Sequence, residues 1–224
     1  MDAEPHYRND LPERPRRFMK LPLDERGFPV PWFVAWQDGT PDFRVVRPGG
    51  IAIAHKRGLC WLCGEPLGVY NAFVIGPMCG INRVSSEPPS HRDCAEYAVR
   101  ACPFLTRPLA VRNPRGLEDA QKPAGFMIER NPGVTLLWVT KSYKPFKVEE
   151  VPGDPARAGV LFRIGDPTEV SFWAKGRKAT RAEIDASVSS GLPLLQEPAE
   201  RQGPDAVREL QRMQSRFDQI LADA

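Results

Sequence analysis

Histidine is scarce in this chain: three in 224 residues, at His6, His55 and His91. That scarcity excludes catalytic centres built from several imidazoles and leaves few ways to assemble a metal site. No run of about 18 apolar residues occurs, so nothing in the sequence reads as a membrane-crossing helix. The opening stretch from Met1 to Arg17 lacks the apolar centre of a secretory signal, which predicts a cytoplasmic location. A Walker-type phosphate loop, a GxGxxG turn and a GxSxG elbow are all missing, which removes the common nucleotide-cofactor and hydrolase signatures. Charge of one sign is lacking too: 31 basic against 28 acidic residues give +3, far short of a strongly basic nucleic-acid binder.

Proline is abundant, with 24 copies, about twice the usual share. It predicts many terminated elements and long irregular connections. The 42% hydrophobic content and the length allow a full apolar core, so the chain needs no staple merely to fold. Residues 1–27 hold four prolines without periodicity and read as an extended arm that can wrap over the body. Phe28–Trp36 and Phe43–Val46 flank a polar turn and predict a hairpin, followed by a third short strand at Gly50–Ala54. A helix is expected from about Ser90, capped by Ser90 with Asp93 and stopped by Pro103. From residue 134 the pattern turns to short β-rich runs, Val134–Thr140, Phe146–Val151, Gly159–Ile164 and Glu169–Ala174, which read as an antiparallel meander. Helices at about 181–190 and 205–222 follow, the second with an apolar stripe of Val207, Leu210, Met213, Phe217, Ile220 and Leu221. The expected class is α+β: an arm at 1–27, N-terminal strands with a metal module at 28–110, and a sheet with two C-terminal helices at 111–224.

The five cysteines fall between positions 60 and 102, an odd number that includes a CxxC pair, and this suits metal ligation in a reducing compartment better than a disulfide framework. Zinc takes four sulfur or nitrogen donors in a tetrahedron. Cys60 and Cys63, followed by the turn-forming Gly64, supply two. His91 and Cys94, at i, i+3 on the first turn of a helix, present two more on one face. Cys79 is the alternative to His91 as fourth ligand, and Cys102 reads as core. A redox role for the CxxC pair lacks the expected βαβ surroundings and leaves His91 and Cys94 without a purpose.

A CxxC knuckle, 27 residues with room for a hairpin, and a helix whose first turn carries the last two ligands resemble the treble-clef zinc fingers. The resemblance rests on Cys60-Trp61-Leu62-Cys63-Gly64 and Ser90-His91-Arg92-Asp93-Cys94 and implies a Zn2+ cofactor, not an activity. The stretch from Ile75 to His91 is also similar to uncharacterised bacterial and bacteriophage proteins, a likeness that implies no function. Nuclease-type treble clefs carry a histidine base in the hairpin, and none lies between Cys63 and His91. A filled ligand set leaves no open position for an activated water, so the zinc is expected to be structural.

Residues 51–116 are the basic part of the chain, with eight basic and four acidic side chains. Lys56, Arg57, Trp61, Arg83 and Arg92 are therefore the candidates for phosphate contact and base stacking. The functional expectation is a noncatalytic zinc-stabilised binding protein with nucleic acid or protein as partner, no membrane and no nucleotide cofactor. Two alternatives stand beside it. One is a cysteine-dependent enzyme using Cys79 near Asn82, Arg83, Ser85 and Glu87. The other is an assembly protein that makes contact through the last apolar helix.

Overall fold

The computed structural model describes residues 7–108, 110–117, 124, 130–149 and 159–223. Part of the expected arm, the irregular stretch after 117 and the end of the second β-rich run lie outside them.

The centre is a four-stranded antiparallel sheet in the order β3-β5-β8-β9, with β3 at Asn71–Ile75, β5 at Thr135–Thr140, β8 at Pro167–Ala174 and β9 at Arg177–Lys178. All six residues of β5 are buried, which explains the unbroken apolar run Leu136–Val139 at its centre: a strand covered on both faces has no solvent side to mark with polar residues. Leu136 and Trp138 face one core with Phe73, Phe162, Phe172 and Phe217. Leu137 and Val139 face the other with Ala95, Val99 and Trp173. The second core is closed by α3 (Arg92–Ala101). The first is closed by α2 (Pro77–Asn82), α4 (Arg181–Gly191) and α6 (Pro204–Asp223), together with a second sheet in the order β4-β7-β6, formed by Val84–Ser85, Gly159–Ile164 and Tyr143–Val148. Among the described residues no helix is long and apolar enough to cross a membrane.

The α+β class and the four β-rich runs match expectation, but the meander order does not. β5 pairs with β3 and β8, while β6 and β7 form a nested hairpin that pairs with β4. The reason lies in the side chains of β6: Lys144, Pro145 and Lys147 suit an open edge, because proline donates no ladder hydrogen bond and lysine must reach water. A strand as apolar as β5 needs a partner on each side instead.

Three further corrections concern helices. Gly50–Ala54 is not a strand but the start of α1 (Gly50–Arg57), packed through Ala54 and Ile51. Its Ile-Ala-Ile-Ala alternation imitates a strand, yet Gly58 in the left-handed region (φ 60°) donates its N–H to the carbonyls of Ala54 and His55, a helix stop. Ser90 does not cap α3: the N-cap is His91, and the Ser90 backbone instead exchanges two hydrogen bonds with Ala72, at 2.8 and 2.7 Å. Among the described residues the C-terminal helices are three, not two, because Pro193 starts α5 (Pro193–Gln202) as a first-turn proline. The expected β1–β2 hairpin forms at Val34–Gln37 and Thr40–Val46. Its two-residue turn, Asp38-Gly39, has positive φ at both positions (48° and 79°).

The stripe on α6 is occupied by the protein itself: Leu210, Met213, Phe217, Ile220 and Leu221 all pack on the first core. Gly80 of α2 sits beneath it, where an added Cβ would lie 2.8 Å from a Phe217 ring carbon and 3.0 Å from a Leu136 methyl. Alanine gains about 0.5–1 kcal/mol over glycine in a helix, but overpacking a closed core costs about 1–3 kcal/mol. Gly80→Ala is therefore expected to destabilise the protein by about 1–2 kcal/mol, read as a lower urea midpoint with unchanged slope.

Candidate metal centre

The chain between Leu59 and Leu67 folds into a tight knuckle. Cys60 N–H donates to the Glu65 carbonyl at 2.8 Å, Gly64 N–H to the Cys60 carbonyl at 2.9 Å, and Leu67 N–H to the Gly58 carbonyl at 2.7 Å. Gly64 has φ 74°, and an added Cβ would strike the Trp32 ring at 2.4 Å, so this position needs glycine for both conformation and space. The turn points the Cys60 and Cys63 sulfurs to one side, where the Cys63 and His91 amides each donate to the Cys60 sulfur at 3.4 Å.

The opposing pair comes from α3. Cys60, Cys63, His91 and Cys94 are all buried, and their four ligand atoms lie within 4.8 Å of one another, the only such group among the described residues. His91 Nδ1 is 3.4 Å from the Cys63 sulfur and 3.9 Å from that of Cys94. A tetrahedron with metal bonds of about 2.0 and 2.3 Å requires nitrogen–sulfur separations near 3.6 Å, so little movement closes it on an ion. The imidazole is oriented from behind: Nε2 lies 2.9 Å from the Pro66 carbonyl, which can only accept, so Nε2 carries the proton and the Nδ1 lone pair faces the sulfurs. Sequence reasoning missed this role of Pro66, because a backbone carbonyl leaves no mark in residue type.

Electrostatics makes the group a cation site. Burial opposes ionisation of Cys60, but donation from the Cys63 and Cys94 thiols and from the Cys63 amide toward its sulfur wins and lowers its pKa. That thiolate then holds the proton on its neighbours: hydrogen bonding to Cys60 pushes Cys63 up to about 12 and raises Cys94 strongly. The same contact with Cys60 raises His91. Three thiolates this close repel each other unless a dication joins them.

The knuckle and the ligand-bearing helix stand as the treble-clef resemblance implies, but the hairpin between them is reduced to the single Ala72–Ser90 bridge, with α2 and β4 looped out. Residues before the knuckle cover the site. A 3-10 turn at Arg16–Lys20 buries Phe18 edge-on against Tyr97, at 4.9 Å between ring centres. Tyr7 and Tyr97 share a hydroxyl hydrogen bond of 3.0 Å. Arg17 pairs with Asp93 at 2.9 Å, and both Arg17 and Lys20 reach Glu65.

Cys79 lies outside the cluster and packs against the first core. Burial pushes its thiol up to about 11, so the nucleophilic thiolate is scarce at neutral pH. The polar groups read as its possible helpers serve local backbone instead: the Asn82 side chain accepts from Val84 N–H, and the Ser85 hydroxyl bonds both backbone groups of Glu87. Of the residues considered for nucleic acid, Trp61 is buried and stacked on Phe33, at 4.9 Å and 6° between planes. Arg83 lies over Trp138 and donates to the Gly165 carbonyl. Arg92 is held by Glu169 and Glu96. Lys56 and Arg57 are exposed at the end of α1. The structure does not bring these five together.

Iodoacetamide at neutral pH is expected to leave Cys79 unmodified in the folded protein under conditions that label the urea-unfolded chain completely; peptide mass spectrometry showing rapid native labelling would restore a nucleophilic role. Comparison with protein-family models, curated proteins and solved structures finds no match to this chain.

Proposed function

We propose that the chain is a noncatalytic binding protein whose Cys60–Cys63–His91–Cys94 centre holds a structural Zn2+. The carrying observation is a buried, complete set of four donors with the histidine tautomer already fixed. Three sulfurs and one imidazole in a tetrahedral arrangement suit Zn2+ over the harder divalent ions, which prefer oxygen. A filled first coordination sphere supplies no activated water, and burial denies a substrate access. Reduced cysteines of this kind fit a cytoplasmic setting. The partner class is nucleic acid or protein. The cysteine-enzyme reading loses support from the buried Cys79 thiol, and the assembly reading loses its free surface because α6 is docked on its own chain.

Metal analysis of the purified protein is expected to find one zinc per chain, lost in Cys60→Ser and Cys94→Ser and kept in Cys79→Ser. Absence of zinc from metal-replete wild type would overturn the proposal. Because zinc must displace the protons held on Cys63 and Cys94, uptake should release acid into weak buffer, and the apparent affinity should rise with pH across the neutral range.

Structural zinc contributes on the order of 10 kcal/mol to the element that it closes. Chelation is expected to free the knuckle and the Phe18 turn to proteolysis while the β3-β5-β8 sheet, whose core is separate, keeps its circular dichroism.

A further inference from the structure

We infer that the groove between the β4-β7-β6 sheet and α6 is a binding site for the phosphate backbone of a single-stranded nucleic acid. The inference rests on the reading of the chain as a binding protein but not on the zinc, and it moves the contact surface away from the residues beside the knuckle.

The groove has a volume of about 350 Å³, with Ile81, Ile164 and Met213 forming an apolar floor and Arg83, Arg163 and Arg216 set around it. Arg163 and Arg216 are exposed, and among the described residues neither makes a hydrogen bond or an ion pair. Arg83 is fixed, stacked at 4.5 Å over Trp138 with one nitrogen on the Gly165 carbonyl at 3.0 Å, and its second contact, to Asp166 at 3.3 Å, is to a carboxylate almost fully in water. Such an exposed pair is weak and yields to a stronger anion. Burial lowers the Arg83 pKa against the opposing pull of Asp166, and the nearby Arg216 adds a smaller lowering.

The neighbouring sheet adds to the pattern. Lys144 stands directly opposite Arg163 across the β6–β7 ladder, with Val84 opposite Arg163 on its other side. Like charges facing each other across two strands cost stability, so packing gives no reason for the pair. Phe146 is half-buried, with the Arg163 guanidinium 5.6 Å from its ring centre. Glu209, the remaining acid of the groove, is already engaged by Arg212 at 3.2 Å. Cations strung along an open groove beside a ring match a strand of regularly spaced phosphates with stackable bases. A single small anion is instead enclosed by converging donors, which this groove does not provide.

The test is fluorescence anisotropy of a labelled oligonucleotide about a dozen nucleotides long, with the full chain in its metal-loaded form. Three phosphate contacts predict an affinity that falls about twentyfold between roughly 50 and 200 mM salt. Arg163→Glu with Arg216→Glu is expected to weaken binding at least tenfold, whereas Lys56→Glu with Arg57→Glu changes it less than about threefold, consistent with charges outside the groove. Both variants should keep the wild-type melting temperature and zinc content, which separates failure of the groove from failure of the metal centre. Inorganic phosphate matched for ionic strength with chloride should compete poorly. No binding at the lower salt, equal loss in the two double variants, or full displacement by free phosphate at the concentration of bound strand would overturn the inference.

Discussion

Three sulfurs and one imidazole nitrogen within 4.8 Å of each other, all buried, form the constraint on which the N-terminal half of this molecule depends. Apolar groups gather without electrostatic penalty, but thiolates do not: the first to ionise, Cys60, makes the next two reluctant. The arrangement is tolerable either as a proton-sharing cluster or as a cage around a dication. Its details favour the cage, because the His91 lone pair is aimed inward by Pro66 and backbone amides already solvate the Cys60 sulfur.

The site matters to the fold because α3 is shared between two interiors. Cys94, Tyr97 and Ala101 face the metal cluster, while Ala95 and Val99 face the central sheet. The interior around the cysteines has few large apolar side chains, chiefly Phe18, Leu62 and Tyr97, whereas the sheet core gathers Trp138 and four phenylalanines. Burial of apolar area contributes about 25 cal/mol per Å², so the sheet core can sustain itself and the smaller one has much less to draw on. Metal ligation supplies what the knuckle lacks, and the turn at Arg16–Lys20 adds Phe18 and the ion pairs of Arg17 and Lys20 as an outer layer.

Much of this was legible in the residues and some was not, for definable reasons. The ligand positions were legible because metal coordination depends on residue type and short spacing, which CxxC and HxxC display directly. The turn between β1 and β2 was legible because positive φ, as at Asp38 and Gly39, selects particular residues. Strand order was not, since β5 and β6 are equally plausible neighbours until one asks which strand tolerates an edge. The alternating residues of α1 misled because Ile-Ala-Ile-Ala satisfies a period of two as well as a short helix with one buried face. Choosing Trp61 as an exposed contact failed for a different reason: its burial depends on the tertiary neighbour Phe33, which lies 28 residues away, whereas Arg92 is exposed but engaged by Glu169 and Glu96.

The metal site and the groove thus manage charge in different ways. Around the cysteines nearly every charged side chain is matched, Arg17 with Asp93, Lys20 with Glu65, Arg92 with Glu169, and the resulting surface is one that closes on itself. Along β6 and β7 and at Arg216 the pattern differs: Lys144 meets Arg163 instead of an acid, and Arg216 stands beside Arg83, although Arg208 and Arg212 of α6 pair with Asp205 and Glu209. Two acids of α6 are thus already used. Among the described residues Arg163 and Arg216 pair with no carboxylate; this carries an electrostatic cost in the isolated protein, and that cost is removed when an external polyanion takes the missing place.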